Sequence, residues 1–203
     1  LGEIYKQGII VKLNNELAFH YYSIAADKLG SSMAQKQMGV FYIMGKIVKR
    51  NINKAIYYLE LSAKKNDYQS QYILALLYYE NYFVPRNINL AIYYYTLSAN
   101  SHMNNSLFEL ATIYTEGKYV DRNIPKAISY YKSASCLYDQ YSKNNLGIIF
   151  KNGLETPKNI QYAIELFNEA IYQKNDVVSM YNLSHIYFYE YEGKIDECIN
   201  LLI

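Results

Sequence analysis

The chain has no tryptophan, only 2 cysteines and only 3 prolines among its 203 residues. The two cysteines, Cys136 and Cys198, argue against the disulfide framework that holds many small secreted domains together. The 20 basic residues nearly balance the 18 acidic ones, so the net charge of +2 is not the strong positive footprint of a protein that binds nucleic acid through its phosphates. No signal peptide or membrane-spanning run is visible in these residues.

Hydrophobic residues make up 51% of the chain, and this share predicts an ordered core rather than disorder. Tyrosine is in clear excess, with 26 residues. Together with abundant asparagine, isoleucine and lysine, this excess is typical of an AT-rich genome. The alternative is that the tyrosines form a stacking platform for nucleic acid, since aromatic rings stack on unpaired bases.

Small residues recur in two interleaved series, each with a step of about 36 residues. The first series steps by 37, 36, 36, 36 and 37 residues through Gly2, Gly39, Ala75, Ala111, Gly147 and Ser184. The second series steps by 37, 36, 36, 36 and 35 residues through Ala18, Ala55, Ala91, Ala127, Ala163 and Cys198. An aromatic ring follows each member of the first series, at Tyr5, Tyr42, Tyr78, Tyr114, Phe150 and Tyr187. The two series predict two structural elements in every repeat.

Both elements have the spacing of helices, because their apolar residues recur at intervals of three and four. An asparagine stands four residues before most members of the second series, at Asn14, Asn51, Asn87, Asn123 and Asn159. Asparagine is a strong helix N-cap, so a helix is predicted to begin after each of them. Glycines at Gly8, Gly45, Gly117 and Gly153 predict the ends of the preceding helices, with Asn81 and Glu190 in the glycine's place in two copies. Each repeat is therefore predicted to be a helix A, a turn and a helix B.

A single pair of such helices cannot bury its apolar face, so the copies are predicted to stack. The predicted fold class is an all-α solenoid of tandem helix-turn-helix repeats. No linker interrupts the repeats, and residues 1–203 are predicted to form a single array of about five and a half copies. The chain begins within a helix A and ends within a helix B, so we expect this array to be truncated at both ends.

The repeat resembles the Sel-one-like repeat family, a tetratricopeptide-type helical repeat. The resemblance is carried best by Leu146-Gly147, Phe150, Gly153 and the stretch 159–170, and again by Met38-Gly39, Tyr42, Gly45, Val48 and the stretch 51–63. It departs from the family pattern at Asn81 and at Lys194, which stands where the last asparagine cap is expected. The resemblance implies a protein that holds other proteins. Relatives are assembly subunits of endoplasmic-reticulum degradation complexes, regulators of cell-wall synthases, and bacterial host- or signalling-interaction proteins.

No motif for catalysis is present. The histidines His20, His102 and His185 lie in different repeats, and no pair of them has the spacing of metal ligands. The chain has no nucleophile elbow and no glycine loop that could cradle a phosphate. We therefore predict that the chain is not an enzyme and has no catalytic, cofactor-binding or metal-binding residue.

The resemblance implies that helix A lines the concave side of the array. Positions three before, one after and four after the first series would then face a groove, and they are apolar in the second to fourth copies. The predicted partner-binding residues are Tyr72, Leu76, Tyr79, Phe108, Thr112, Asn144, Ile148 and Tyr181. The alternative is that these side chains pack between adjacent repeats as core. A basic residue before each cap, at Arg50, Arg86, Arg122 and Lys158, either faces an acidic partner or belongs to the family consensus.

Two functions remain open at this point. The first is a scaffold or adaptor that binds a protein or peptide partner, as part of a larger regulatory or assembly protein. The second is a nucleic-acid-binding helical repeat, which reads bases through polar side chains at fixed positions of helix A. Val40, Leu76 and Ile148 occupy those positions here and cannot hydrogen-bond a base edge. The sequence therefore favours the protein scaffold, with nucleic acid as the less favoured partner, and it does not indicate a compartment.

Overall fold

The computed structural model describes residues 3, 6, 14–135 and 139–189. Residues 14–135 and 139–189 form ten α-helices and no β-strand, which confirms the predicted all-α helical-repeat solenoid. The helices are α1 (Asn15–Asp27), α2 (Ser32–Met44), α3 (Ile52–Ala63), α4 (Tyr68–Glu80), α5 (Ile88–Ala99), α6 (Asn104–Glu116), α7 (Ile124–Ser135), α8 (Gln140–Asn152), α9 (Ile160–Lys174) and α10 (Val177–Tyr189). Even-numbered helices correspond to helix A and odd-numbered ones to helix B. The predictions made for Gly2, Tyr5, Gly8, Cys136, Glu190, Lys194 and Cys198 lie outside the described residues.

The helices fall into two compact units, Leu1–Met103 and Asn104–Ile203. The first unit contains α1 to α5 and the second contains α6 to α10. Within each unit, every helix packs against its neighbours in the sequence. In the second unit α8 and α10, which are both helix A, also touch each other.

All five predicted asparagine caps are present at the starts of helix B. The side-chain oxygens accept backbone N–H groups at 2.9–3.1 Å, in the pairs Asn14–Leu17, Asn51–Lys54, Asn87–Leu90, Asn123–Lys126 and Asn159–Tyr162. This contact satisfies one of the donors that every helix N-terminus leaves without an intrahelical partner. The regular spacing of asparagine along the sequence is therefore explained by the regular start of a helix.

Helix A ends in the left-handed region at each described copy of the predicted stop. The φ angles are 66° at Gly45, 63° at Gly117 and 65° at Gly153. Asn81, the departure from the glycine pattern, has a φ of 58° and closes α4 in the same conformation. Its Oδ1 accepts the backbone N–H of Arg86 at 2.9 Å, and asparagine is among the few residues that tolerate this region. The substitution therefore preserves the end of the helix.

The small residues of both series are buried where helix A crosses helix B. Ala75 and Ala111 of the first series, and Ala55 and Ala91 of the second, have no exposed surface. A Cβ added to Gly39 would lie 2.6 Å from Leu59 Cγ, and one added to Gly147 would lie 2.5 Å from Phe167 Cε1. Such distances are too short for a side chain, so the glycines are present because the facing helix approaches their backbone closely.

The aromatic ring that follows the first series packs on a tyrosine of helix B in the same repeat. Parallel rings stack at centroid distances of 5.9 to 6.2 Å in the pairs Tyr42–Tyr58, Tyr78–Tyr94 and Tyr114–Tyr130. In the next copy Phe150 instead meets Tyr162 edge to face at 4.9 Å. Much of the tyrosine excess is therefore used in packing within repeats.

Candidate protein-binding surface

In the first unit, two of the predicted binding residues pack on the core. The rings of Tyr72 and Tyr79 on α4 both meet Tyr95 of α5, at centroid distances of 6.0 and 6.3 Å. The guanidinium of Arg86 lies 5.8 Å from the centre of the Tyr79 ring. Both tyrosines are half-buried, so each ring supports the fully buried Tyr95 from the side and keeps part of its surface exposed.

The third predicted residue of this unit, Leu76, lines an apolar pocket of about 200 Å³. The pocket lies between α2, α4 and the loop that follows α4. Its lining is Ile43, Ile73, Leu76, Leu77, Glu80, Tyr82 and Phe83. Ile43 and Leu76 both belong to the predicted groove positions, and the structure brings them together. A pocket of this size accepts one large aliphatic or aromatic side chain.

Tyr82 and Phe83 are pocket residues that the sequence analysis did not identify. Their exposed fractions are 81% and 44%. The sequence signal for this pair is the difference between the loops that follow helix A in adjacent repeats. Lys46 and Lys118 occupy the position of Tyr82 in the preceding and following repeats.

In the second unit, Phe108 and Thr112 on α6 contact the buried Tyr131 of α7. The ring of Phe108 lies 5.9 Å from that of Tyr131, and Thr112 Oγ1 is 3.1 Å from the Tyr131 hydroxyl. Asn145 also donates to this hydroxyl, at 3.0 Å. Burial raises the pKa of Tyr131, because water no longer solvates its phenolate. Phe108 therefore packs on the ring of the buried Tyr131, and Thr112 is a hydrogen-bond partner of its hydroxyl.

The remaining predicted residues of the second unit differ in their exposure. Asn144 on α8 is only 7% exposed, and its Oδ1 accepts from Ser179 Oγ at 3.2 Å and from Asn182 Nδ2 at 2.9 Å. Ile148 packs against the cluster around Phe167 and Leu183. Tyr181 on α10 is 63% exposed. Asn144 thus joins α8 to α10, whereas Tyr181 presents its ring to solvent.

The basic residues before the caps contact the ends of helix A. Arg50 Nε donates to the carbonyl of Ile43 at 3.0 Å, and Arg86 Nε donates to the carbonyl of Tyr79 at 2.6 Å. These carbonyls belong to the last turn of a helix, where a cation is favourable. In the second unit Arg122 instead forms an ion pair with Glu155, at 3.3 Å. The first two arginines therefore have a structural role in addition to any contact with a partner.

Several tyrosines that join adjacent helix B elements have raised pKa values. The hydroxyl of Tyr58 donates to Asp27 at 2.9 Å, and that of Tyr94 donates to Glu60 at 3.5 Å. Burial and then the nearby Glu60 carboxylate raise the pKa of Tyr94 to about 12. Burial and Asp27 raise the pKa of Tyr58 as well. These phenols stay protonated at neutral pH and hold neighbouring repeats together.

Neither a metal-binding cluster nor a membrane-spanning helix is found in the part of the chain that the structure describes. Over 14–135 and 139–189, no three His, Cys, Asp or Glu side chains are grouped so that they could hold a metal ion. Among these same residues, every helix is too short or too polar to cross a membrane.

Comparisons with known proteins agree with this architecture. The Oxalobacter formigenes Sel1 repeat protein has a TM-score of 0.80 at 24% identity over 98% of this chain and 82% of its own. The c5321 antigen of uropathogenic Escherichia coli, which displays an SLR fold, has a TM-score of 0.86 at 25% identity. The alignment covers 98% of this chain but 43% of c5321, so this chain spans less than half the length of that antigen. The immunity protein Pa5087 of Pseudomonas aeruginosa has a TM-score of 0.50 at 17% identity over 92% of this chain and 70% of its own.

The family assignment follows from the sequence itself. No curated protein matches the chain at a significant level. The model of the Sel1 repeat, however, matches six segments, 1–28, 32–67, 69–102, 105–139, 140–175 and 177–195. Sel1 repeat proteins generally act as protein-interaction scaffolds, and their repeats are non-catalytic. Since the matched segments cover nearly the whole sequence and the described helices follow the same period, the chain belongs to the Sel1 repeat family.

Proposed function

We propose that this chain is a non-enzymatic scaffold that binds a protein partner on its helix A surface, at the pocket between α2 and α4. The observation that carries this proposal is the pocket itself, whose apolar wall includes Leu76 and the exposed rings of Tyr82 and Phe83. Exposed aromatic side chains beside an apolar pocket are the usual anchors of protein interfaces. Lys46 and Lys118 stand in the place of Tyr82 in the neighbouring repeats, so the exposed tyrosine beside the pocket occurs in only one of these three copies.

The proposed setting is a larger regulatory or assembly protein. The family resemblance favours an assembly subunit of an endoplasmic-reticulum degradation complex or a regulator of a cell-wall synthase. In either case the chain would position a partner and would perform no chemistry. The regular helix pairs suit this role, because their packing holds the pocket residues on rigid elements.

Protein is favoured over nucleic acid as the partner by the use of the tyrosines. A stacking platform needs aromatic faces that are open to bases. Here Tyr42, Tyr78 and Tyr114 stack on tyrosines of helix B, and Tyr72 and Tyr79 pack on Tyr95. These five rings are occupied by contacts within the fold, so they do not form an open stacking platform for bases.

The proposal is tested by capture of partners from lysate of the source organism with Tyr82→Ser protein. Because Tyr82 is 81% exposed, this change should leave the thermal midpoint within about a degree or two of wild type, as expected for an exposed surface position. We expect it to reduce the recovery of specific partners. The matched control is Tyr172→Ser in the second unit, where the ring is 92% exposed and lies far along the sequence from the pocket. Equal recovery by both variants and wild type would contradict the proposed site.

A further inference from the structure

Arg50 stands at the rim of the α2–α4 pocket with its guanidinium held by two contacts. Its Nε donates to the carbonyl of Ile43 at 3.0 Å, and its Cζ lies 5.1 Å from the centre of the Phe83 ring. Both contacted residues line the pocket. Among the described residues, the guanidinium has no acidic partner and no further hydrogen bond. Its terminal nitrogens therefore present a preorganised fork of the kind that binds a carboxylate.

The charge around Arg50 is positive. Lys46 and Lys49 lie in the same loop, both are exposed, and neither forms an ion pair with any described residue. The pocket lining contributes one carboxylate, that of Glu80. Three cations thus lie in the loop that follows α2, and one of them, Arg50, contacts two residues of the pocket, whose wall has a single acidic group. This excess favours an anionic ligand, and the attraction weakens as salt screens it.

The apolar wall of the pocket requires that the ligand carry an apolar group in addition to its negative charge. Ile43, Ile73, Leu76 and Leu77 form a wall that offers little to a polar group, and Phe83 joins this wall to Arg50. A small anion such as phosphate would leave the wall bare. A purely apolar segment would leave the cations without a partner. The ligand that uses both features carries a large apolar side chain and a carboxylate close together.

Building on the scaffold function proposed above, we propose that this pocket binds a peptide segment of a partner protein in which an acidic side chain adjoins a large apolar side chain. The apolar side chain fills the pocket against Leu76 and Tyr82, and the carboxylate pairs with Arg50. Lys46 and Lys49 attract the segment over a longer range. This assigns a chemical class to the partner and a specific role to an arginine that otherwise caps α2.

The test uses short synthetic peptides whose ends are both blocked, so that side chains supply the only carboxylates. The probe is acetyl-Gly-Ser-Glu-Leu-Phe-Glu-Gly-Ser-amide, and its binding is measured by isothermal titration calorimetry at low and at moderate salt. One matched peptide has Gln for both Glu residues, and another has Ala for Leu and Phe. We expect each matched peptide to bind about tenfold more weakly than the probe, the effect of losing one charge-assisted pair or one buried side chain. Equal binding of the probe and its Gln counterpart would overturn the proposal.

Charge reversal on the protein gives a second, independent readout. Arg50→Glu should lose the probe and prefer a peptide with Lys in place of Glu. The matched control is Arg122→Glu in the second unit, since Arg122 occupies the same repeat position but already pairs with Glu155. Lys49→Glu, at an exposed loop position without a structural contact, should weaken the probe without changing the thermal midpoint. Unchanged affinity in both Arg50→Glu and Lys49→Glu would contradict the assignment, even if the first variant were less stable.

The last set of experiments distinguishes a failure of the proposed ligand from a failure of the scaffold function. A uridine oligonucleotide that binds more tightly than the probe, and loses affinity in Lys49→Glu, would overturn the peptide assignment in favour of nucleic acid. If no peptide binds at millimolar concentration while Tyr82-dependent capture of partners persists, the scaffold stands and the acidic-apolar ligand is wrong. Probe binding that depends on Arg50 and is competed by a captured partner supports both.

Discussion

Asn87 joins Tyr78 at the end of helix A to the first turn of helix B. Its backbone N–H donates to the carbonyl of Tyr78 at 2.9 Å, while its Oδ1 accepts the backbone N–H of Leu90 at 3.1 Å. The same backbone contact recurs in the pairs Asn51–Tyr42, Asn123–Tyr114 and Asn159–Phe150, at 2.9–3.1 Å. One residue per repeat therefore sets both the closure of the turn and the start of the next helix, which explains why the spacing between aromatic and asparagine does not vary in these copies.

Replacing Asn87 by Ala should lower the free energy of unfolding by about 0.5–2 kcal/mol. The side-chain acceptor for Leu90 is lost, while the backbone bond to Tyr78 is retained. Urea denaturation followed by circular dichroism measures the change. Asn89→Ala, an exposed position in the first turn of the same helix, is the control and should change stability little. Equal midpoints for Asn87→Ala and wild type would remove Asn87 from the capping role.

Gly147→Ala tests the helix crossing in the second unit. The added methyl would lie 2.5 Å from Cε1 of the fully buried Phe167 ring. Overpacking costs about 1–3 kcal/mol and the gain in helix propensity returns about 1 kcal/mol, so we expect a net loss of up to about 2 kcal/mol. In a Phe167→Val background the same change should be neutral or stabilising, because the ring has gone. A stabilising effect in the wild-type background would show that the helices are further apart than described.

Two of the predicted binding positions differ in their environment, because Asn144 is buried and hydrogen-bonded whereas Tyr181 is exposed. Asn144→Leu would leave Asn182 Nδ2 and Ser179 Oγ without their shared acceptor. A buried polar group without a partner costs about 1–3 kcal/mol, so the midpoint in urea should fall. Tyr181→Ala, at a ring that is 63% exposed, should change it little. The reverse order of effects would contradict the placement of both residues.

The stability of the first unit should fall between pH 10 and about pH 12 through Tyr94. Its pKa rises from the ordinary 10.0 to about 12 through burial and then the charge of Glu60. Above pH 10 the unfolded chain therefore loses this proton while the folded chain keeps it, so alkali favours unfolding. The contribution is fully present below pH 10. Tyr94→Phe should make the alkaline loss of stability shallower, measured as urea midpoints across this pH range, and Glu60→Gln should do so in part. An identical pH dependence in wild type and Tyr94→Phe would contradict the link.

The repeat signals in the sequence predicted helix starts, helix ends and crossings because each depends on local chemistry. An asparagine before an apolar stripe, or a glycine after one, determines a cap whatever the rest of the fold does. The caps of helix A were missed. Ser31, Asp67 and Asp139 accept backbone N–H groups of α2, α4 and α8, but they change between serine and aspartate and so form no visible series.

The binding surface was harder to predict, because the period assigns a residue to one face of a helix but does not tell how deeply its side chain is buried. Tyr72, Phe108 and Asn144 share one repeat position, yet the first two are half-buried and Asn144 is only 7% exposed. Their burial depends on the size of the neighbours, such as Tyr95 and Tyr131, across the helix pair. The repeat positions do not predict the pocket either, because Lys46 and Lys118 stand in the place of Tyr82 in the adjacent copies.

Site-specific photo-crosslinking at position 82 tests the central claim most directly. A benzophenone amino acid in place of Tyr82, whose ring is 81% exposed beside the pocket, should form a covalent adduct with a protein partner in lysate of the source organism. The same amino acid at Tyr172, which is 92% exposed on α9, should not form this adduct. Excess acidic-apolar peptide should remove the adduct at position 82. Adducts of equal yield at both positions, or none at position 82 from a protein that still captures its partners, would contradict the account.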